Sequence, residues 1–262
     1  MKSNGYKRYL YNLKKEKFLV GFIQIFILVF LIFIWQWLAD KEFINTFITS
    51  SPKDIVNTVI DLYKSNNLFN HIWVTIYETV ISFMIGTILG IIIAVIMWYN
   101  KFISKVIDPY LTILNSLPKV SLGPILIIWV GANINSIIVM ALLISLIITI
   151  INVYNGFDNT DINKIKLLYS FGANKRHILK YLILPSNYPV IISSLKINIS
   201  MSLIGVIMGE LLVSKQGIGY LIMYGSQVFN LDLVMTGIII LMITSYLMYI
   251  IVSKLEKILI KY

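Results

Sequence analysis

The stretch "LLYSFGANKRHILKYLILPSNYPVI", residues 167–191, interrupts a chain that is otherwise mostly apolar. Lys175, Arg176 and Lys180 fall within six positions, a glycine stands at 172, and prolines stand at 185 and 189. Just upstream, Ile162, Ile165, Leu168 and Phe171 recur every three positions with Lys164 and Lys166 off that face, and Asp161 is placed to cap their helix. Gly172 supplies the backbone freedom that ends a helix. Asn174 can cap a second one, in which Ile178, Leu179, Leu182 and Ile183 form a single apolar patch until Pro185 and Pro189 redirect the chain. The expected product is a short helix, turn, helix, too polar to cross a membrane and too apolar to stand alone in water.

Its surroundings are of membrane type. Of 262 residues, 58% are hydrophobic and only 13% charged, and the mean hydropathy is +0.84, beyond the range of ordinary soluble domains. A helix needs roughly 20 apolar residues to cross the hydrocarbon layer. Six such runs are expected, near residues 18–38, 74–99, 107–131, 136–153, 188–213 and 234–252, which makes the chain an all-α, polytopic membrane protein with the quoted stretch between the fourth and fifth spans. The first run is too long for the apolar part of a signal peptide, and no A-x-A-like site follows it, so it reads as a retained span. The expected organisation is a basic arm over 1–17, a first span with a surface helix over 18–73, a core over 74–255 with its loop at 154–187, and a tail over 256–262. There is no cysteine, hence no disulfide framework and no thiolate metal site.

A net charge of +10 raises the question of nucleic acid, but in a membrane chain the placement of charge matters more than its total. Lys2, Lys7, Arg8, Lys14, Lys15 and Lys17 precede the first span, and Lys101 and Lys105 join the second to the third. Lys164, Lys166, Lys175, Arg176 and Lys180 follow the fourth, and Lys254, Lys257 and Lys261 follow the sixth. All four groups fall on one side of a six-span topology, against Lys41, Lys53, Lys64 and Lys215 on the other. The positive-inside rule therefore expects both termini and the quoted stretch in the cytoplasm. Trp35, Trp37, Trp73 and Trp129 then lie near outer ends, and Trp98, Tyr99, Tyr154 and Tyr188 near inner ones, where amphipathic rings suit the headgroup layer.

On the outer side, "TSSPKDIVNTVIDLYKSN" (49–66) reads as a surface helix capped by Ser51, with Pro52 in its first turn. Ser82, Gly86, Gly90 and Ala94 form a small-residue stripe on the second span, and Gly205 and Gly209 repeat it on the fifth, as close helix packing requires. Pro118, Gly123 and Pro124 interrupt the third span. Non-helical backbone at that depth must be covered by protein or line a water-filled cavity, so this span is a candidate wall of a solute path.

Three readings of the loop compete: an amphipathic pair on the anionic inner leaflet, a DNA-reading helix-turn-helix without a base-reading face, and a docking element for a cytoplasmic partner. The spacing from glycine to proline favours docking. Gly172, followed after nine residues by Leu182, Ile183, Leu184 and Pro185, resembles the cytoplasmic loop signature of bacterial ABC importer permeases: EAA, three residues, G, nine residues, I-x-L-P. "LNSLPKVSLGPILIIWVG" (114–131) and "MGELLVSKQGIGYLI" (208–222) resemble the nitrate, sulfonate and taurine branch of that family, and the likeness extends over most of residues 70–255. The resemblance implies a type I importer permease in the bacterial inner (plasma) membrane. Its implied partners are cytoplasmic ATPase subunits that bind ATP and magnesium, a second permease copy, an extracytoplasmic binding protein and membrane lipid, without nucleic acid. It also implies an ATPase contact through Lys166, Leu168, Phe171, Gly172, Ala173, Leu184 and Pro185. The chain departs from the signature where Lys166, Leu167 and Leu168 replace the acidic and two small residues. The reversal at Lys166 predicts a partner cleft with acidic or polar groups facing it.

No G-x-x-x-x-G-K-[ST] phosphate loop occurs, the two histidines make no metal site, and no catalytic constellation is present, so the expectation is a non-enzymatic chain without a cofactor of its own. Glu78 and Lys196 lie toward span ends, where snorkelling is open to them. Lys119, beside the Pro118 break, and Glu210, deep in the fifth span, remain with two readings: an ion pair inside the bundle, or, together with Trp129, elements of the solute path. The expected solute is a small anion such as a sulfonate, taurine or nitrate. The alternatives are an importer of a vitamin precursor such as a pyrimidine and an ion-coupled secondary transporter.

Overall fold

The computed structural model describes residues 4–259, with side-chain surroundings from residue 12 onward. Lys2 and Lys261, and the side chains of Lys7 and Arg8, lie outside the described residues. Among the described residues the chain is helical apart from short connections, without strands. Helix α1 (Asn4–Asp40) absorbs the described part of the basic arm into the first span. A single turn, α2 (Thr46–Thr49), leads to α3 (Pro52–Lys64), where the Ser51 hydroxyl accepts from Asp54 N at 3.2 Å. Ile55 of α3 is buried, and Val59 and Leu62 pack with Leu68, Ile218 and Ile240. The helix therefore lies against the bundle as well as at its surface.

The second span is α4 (Leu68–Tyr99), the fourth α7 (Ile134–Asp158) and the fifth α11 (Tyr188–Val213). These three form the core, and the small-residue stripes explain why. On α4, Gly86 faces Ser145 and Gly90 faces Thr149; on α11, Gly205 faces Ala141 and Gly209 faces Ile137. Partners that rise together in number show that α4 and α7 run parallel. Partners that rise against each other show that α11 runs antiparallel to α7. Because α4 and α7 are parallel, the chain between them must return across the bundle.

That return is broken. Helix α5 (Lys101–Ser116) and a 3-10 turn (Lys119–Leu122) leading into α6 (Gly123–Val130) meet at 94°, so the interruption expected in the third span is a sharp bend between two pieces, the first of which begins at Lys101 rather than near residue 107. Pro118 has no N–H to continue α5, and the Gly123-Pro124 pair starts the second piece. Leu111 of α5 packs with Met97, Ile147 and Ile150, whereas Gly123 lies against Met140 and Leu212. The break thus sits between those two levels, near mid-depth.

After α11 come α12 (Ile218–Gln227), which the hydropathy pattern does not isolate, and α13 (Leu231–Leu259), the sixth span. Met248 and Val252 of α13 pack with Leu195 and Ile199, so α13 ends where α11 begins. Lys101, Lys105, the basic loop after α7, Lys254 and Lys257 are accordingly gathered at one end of the bundle. Helix α1 stands apart: its apolar side chains from Phe18 to Phe33 are exposed, and its last turns meet the rest through contacts such as Lys53 N donating to Gln36 Oε1 at 3.0 Å.

Candidate functional site

The loop after α7 is shorter than the sequence suggests, since α7 continues to Asp158 and removes residues 154–158 from it. Helix α8 (Ile162–Ser170) is capped by the Asp161 carboxylate, which accepts from Asn163 N at 2.8 Å. It ends where Gly172 adopts φ +80°, with Gly172 N donating to Tyr169 O and Ala173 N to Leu168 O at 2.9 and 3.0 Å. Asn174 caps α9 (Lys175–Ile178) by accepting from His177 N at 3.0 Å. A π-helical turn over Leu179–Ile183 and the short α10 (Leu184–Ser186) complete the return to α11.

This loop is fixed to the bundle. Ile178 and Ile183 are fully buried with Ala94 of α4 and Val153 and Phe157 of α7, with Ile165, Leu168, Ala173 and Leu184 packed around them. Asn187 donates from Nδ2 to Thr160 Oγ1 at 2.8 Å and to Ile183 O at 2.9 Å, tying the loop's two ends together. The Lys175 ammonium lies over Trp98 and Tyr99, 5.9 and 5.3 Å from their ring centroids. Opposite this anchored face, Ile162, Lys166, Leu167, Tyr169, Phe171, Tyr181 and Pro185 are exposed, Phe171 to 76%. The three-residue stripe therefore splits: Ile165 and Leu168 point into the bundle, Ile162 and Phe171 away from it. A rigid base with projecting apolar and basic groups suits docking.

The paired reading of Lys119 and Glu210 is corrected. Lys119 is half-buried and donates from Nζ to Asn115 O at 2.8 Å, back along α5. Exposed polar groups precede it on the same side of that helix, Asp108, Thr112 and Asn115. Trp129 on α6 is 77% exposed. Glu210 is buried at the opposite end from the loop, accepting from Thr75 Oγ1 and from Gly219 N, both at 2.6 Å.

Thr75 also accepts from Ile218 N at 2.8 Å, and His71 Nδ1 accepts from Gly217 N at 3.0 Å. The segment after α11 is thus bonded to α4 through two consecutive amides, those of Gly217 and Ile218, while the next amide, that of Gly219, donates back to Glu210 of α11. Glu78 is not a snorkelling residue but is 2% exposed, with its Oε2 buried and without a hydrogen-bond partner among the described residues. Lys196, near the start of α11, pairs with Glu256 toward the loop end of α13. The sequence reading singled out Glu78 but placed it at a span end, and it gave His71 and Thr75 no part here, although the spacing of four and three marks one face of α4 and the glycines at 217 and 219 mark a close backbone approach.

The sequence matches, over residues 86–261, the family model described as binding-protein-dependent transport system inner membrane component. It is 28% identical over 229 residues to the formylaminopyrimidine transport permease protein ThiX of Halalkalibacterium halodurans, covering 87% of this chain and 91% of that protein. It is 28% identical over 232 residues to the putative aliphatic sulfonates transport permease protein SsuC of Bacillus subtilis, covering 88% and 84%. The fold is similar to that of a chain in an inward-facing MetNI methionine ABC transporter, with a TM-score of 0.63 at 19% identity, covering 73% of this chain and 95% of that one.

Proposed function

This chain belongs to the family of inner membrane components of binding-protein-dependent transport systems, and on that premise we propose that it forms the gated path of an ATP-driven importer, with hydrolysis in a separate subunit. The observation that carries this reading is the loop after α7. Its buried face is continuous with α4 and α7, and its opposite face presents Leu167, Tyr169, Phe171 and Lys166 to a partner. A push on that face reaches both core helices without a soft joint. ATPase subunits that bind ATP and magnesium would dock there, and their closure would drive two loops together and turn the path outward. A second copy of this chain completes the path, and an extracytoplasmic binding protein delivers solute at the far end. The clustering of Lys and Arg at the loop end supports a cytoplasmic loop and cytoplasmic termini in a bacterial cell membrane.

The test is ATP hydrolysis in liposomes by this chain co-expressed with its candidate ATPase. Phe171→Asp places a charge in the docking face and should abolish stimulated hydrolysis, while Lys166→Glu should weaken co-purification by opposing the cleft it is complementary to. A chain that never associates with an ATPase, with both variants unchanged, overturns the reading.

For the solute we favour a small anion, because Lys119 lies at mid-depth beside the break and continues a polar stripe of exposed α5 residues. Half-helix ends at such breaks add to the attraction. A second reading, a flat uncharged heterocycle such as a pyrimidine, is favoured by the groove between α11 and α13. Met208, Met242, Tyr246 and Tyr249 line it with Ser200 and Ser245, and it holds no charged group.

A further inference from the structure

One ion pair is present among the described residues, Lys196 of α11 with Glu256 of α13. The two side chains are 28% and 13% exposed, and both belong to membrane-length helices. Snorkelling alone would satisfy a lysine so near the end of a span. A partner on another helix adds what snorkelling does not, a fixed register between the two helices. Apolar packing already holds them together here, since Leu195 and Ile199 of α11 meet Met248 and Val252 of α13. Such contacts resist separation but tolerate sliding and rotation, because they are non-directional. An ammonium hydrogen-bonded to a carboxylate away from bulk water opposes both.

Position decides what that register is for. The start of α11 is built into the loop after α7: Asn187 donates to Thr160 and Ile183, and Ile191 packs on the cluster of Val153, Phe157, Ile178 and Ile183. Lys196 follows Ile191 on the same unbroken helix, about 7–8 Å along its axis. Just past the pair, the groove between α11 and α13 begins, with Ser200 on one wall and Tyr249 on the other. Ser200 stands one turn beyond Lys196, and its hydroxyl donates to Lys196 O at 3.2 Å. The far end of α13 is held differently, through Ile240 against Leu68 and Ile218. The pair is thus the polar joint between a helix that starts in the loop and the helix that forms the groove's second wall.

We propose that Lys196 and Glu256 are positioning residues whose pairing fixes the register of α13 on α11, so that movement of the loop after α7 reaches both walls of the groove rather than one. The consequence for transport rests on the importer reading; the register itself does not.

The experiment therefore has two arms. The first uses the full-length chain in lipid nanodiscs without an ATPase. Spin labels on Ser193→Cys and Lys257→Cys, both exposed positions in a chain without native cysteine, report the distance between α11 and α13. Its distribution should be narrow in the labelled parent, broaden with Lys196→Met or Glu256→Gln, and narrow again when Lys196→Glu and Glu256→Lys are combined. The second arm uses liposomes holding the complete transporter. There each single variant should lower uptake at least about fivefold while ATP hydrolysis stays within about twofold of wild type, and the exchanged pair should recover most of the uptake. Equal widths in all the labelled proteins, no recovery in the exchanged pair, or uptake and hydrolysis falling together in the single variants overturns the proposal. A wild type that neither hydrolyses ATP nor imports counts against the importer reading alone, and the distance measurement still decides the register.

Discussion

Gly205 meets the Ala141 backbone so closely that even a Cβ would clash with the Ala141 Cα, and a backbone atom, unlike the end of a flexible side chain, cannot swing aside. Gly205→Ala must therefore part α7 from α11, at a cost of about 1–3 kcal/mol typical of overpacking. A lower melting temperature in detergent would register it, and an unchanged one would place the helices farther apart than described. The glycine was legible in the sequence because small residues four apart on a span have few other uses. The buried acids were not. Pairing Lys119 with Glu210 followed from opposite charge and shared burial, but charge does not encode depth or direction. Glu210 lies within a few residues of the end of α11, where amides of the next segment can reach it, and Lys119 sits at mid-depth beside the break with its ammonium turned back to Asn115 O.

At the scale of elements, the caps were read correctly because their signals are local: Ser51, Asp161 and Asn174 each need only an amide two or three residues ahead. The third span shows the limit of such reading. Pro118, Gly123 and Pro124 announced an interruption, but the 94° angle between its halves comes from what they pack on, α5 against the loop-end halves of α4 and α7, α6 against Met140 and Leu212. The bend carries a consequence for solute choice. Lys119 extends from the break beside the α5 polar stripe, and a cation in that position lowers the barrier for an anion much more than for an uncharged ring. In liposomes holding the complete transporter, Lys119→Ala should reduce anion uptake by about tenfold, which is a loss of roughly 1.4 kcal/mol. Uptake of a neutral pyrimidine should hardly change. Undiminished anion uptake would remove Lys119 from the path and move the substrate reading to the groove between α11 and α13.

Across the whole molecule, the helix directions convert a tally of charges into a statement about space. Parallel α4 and α7, antiparallel α11, and α13 returning to the start of α11 bring Lys101, Lys105, the loop after α7, Lys254 and Lys257 to one end. The sequence could count these residues by loop, yet it could not exclude that the broken third span folds back and reverses every later segment. The parallel register of Gly86 with Ser145 and Gly90 with Thr149 excludes that for the described residues. The side we propose rests on the cost of carrying clustered Lys and Arg across a bilayer, which favours leaving them in the cytoplasm. The chain has no cysteine, so single-cysteine variants report position without background. Lys257 and Lys215 are both exposed, at opposite ends of the bundle. In intact cells stripped of their outer layers, an impermeant maleimide should label Lys215→Cys at once and Lys257→Cys only after permeabilisation. The reverse pattern would put the coupling loop outside, out of reach of ATP, and the importer reading would fail with it.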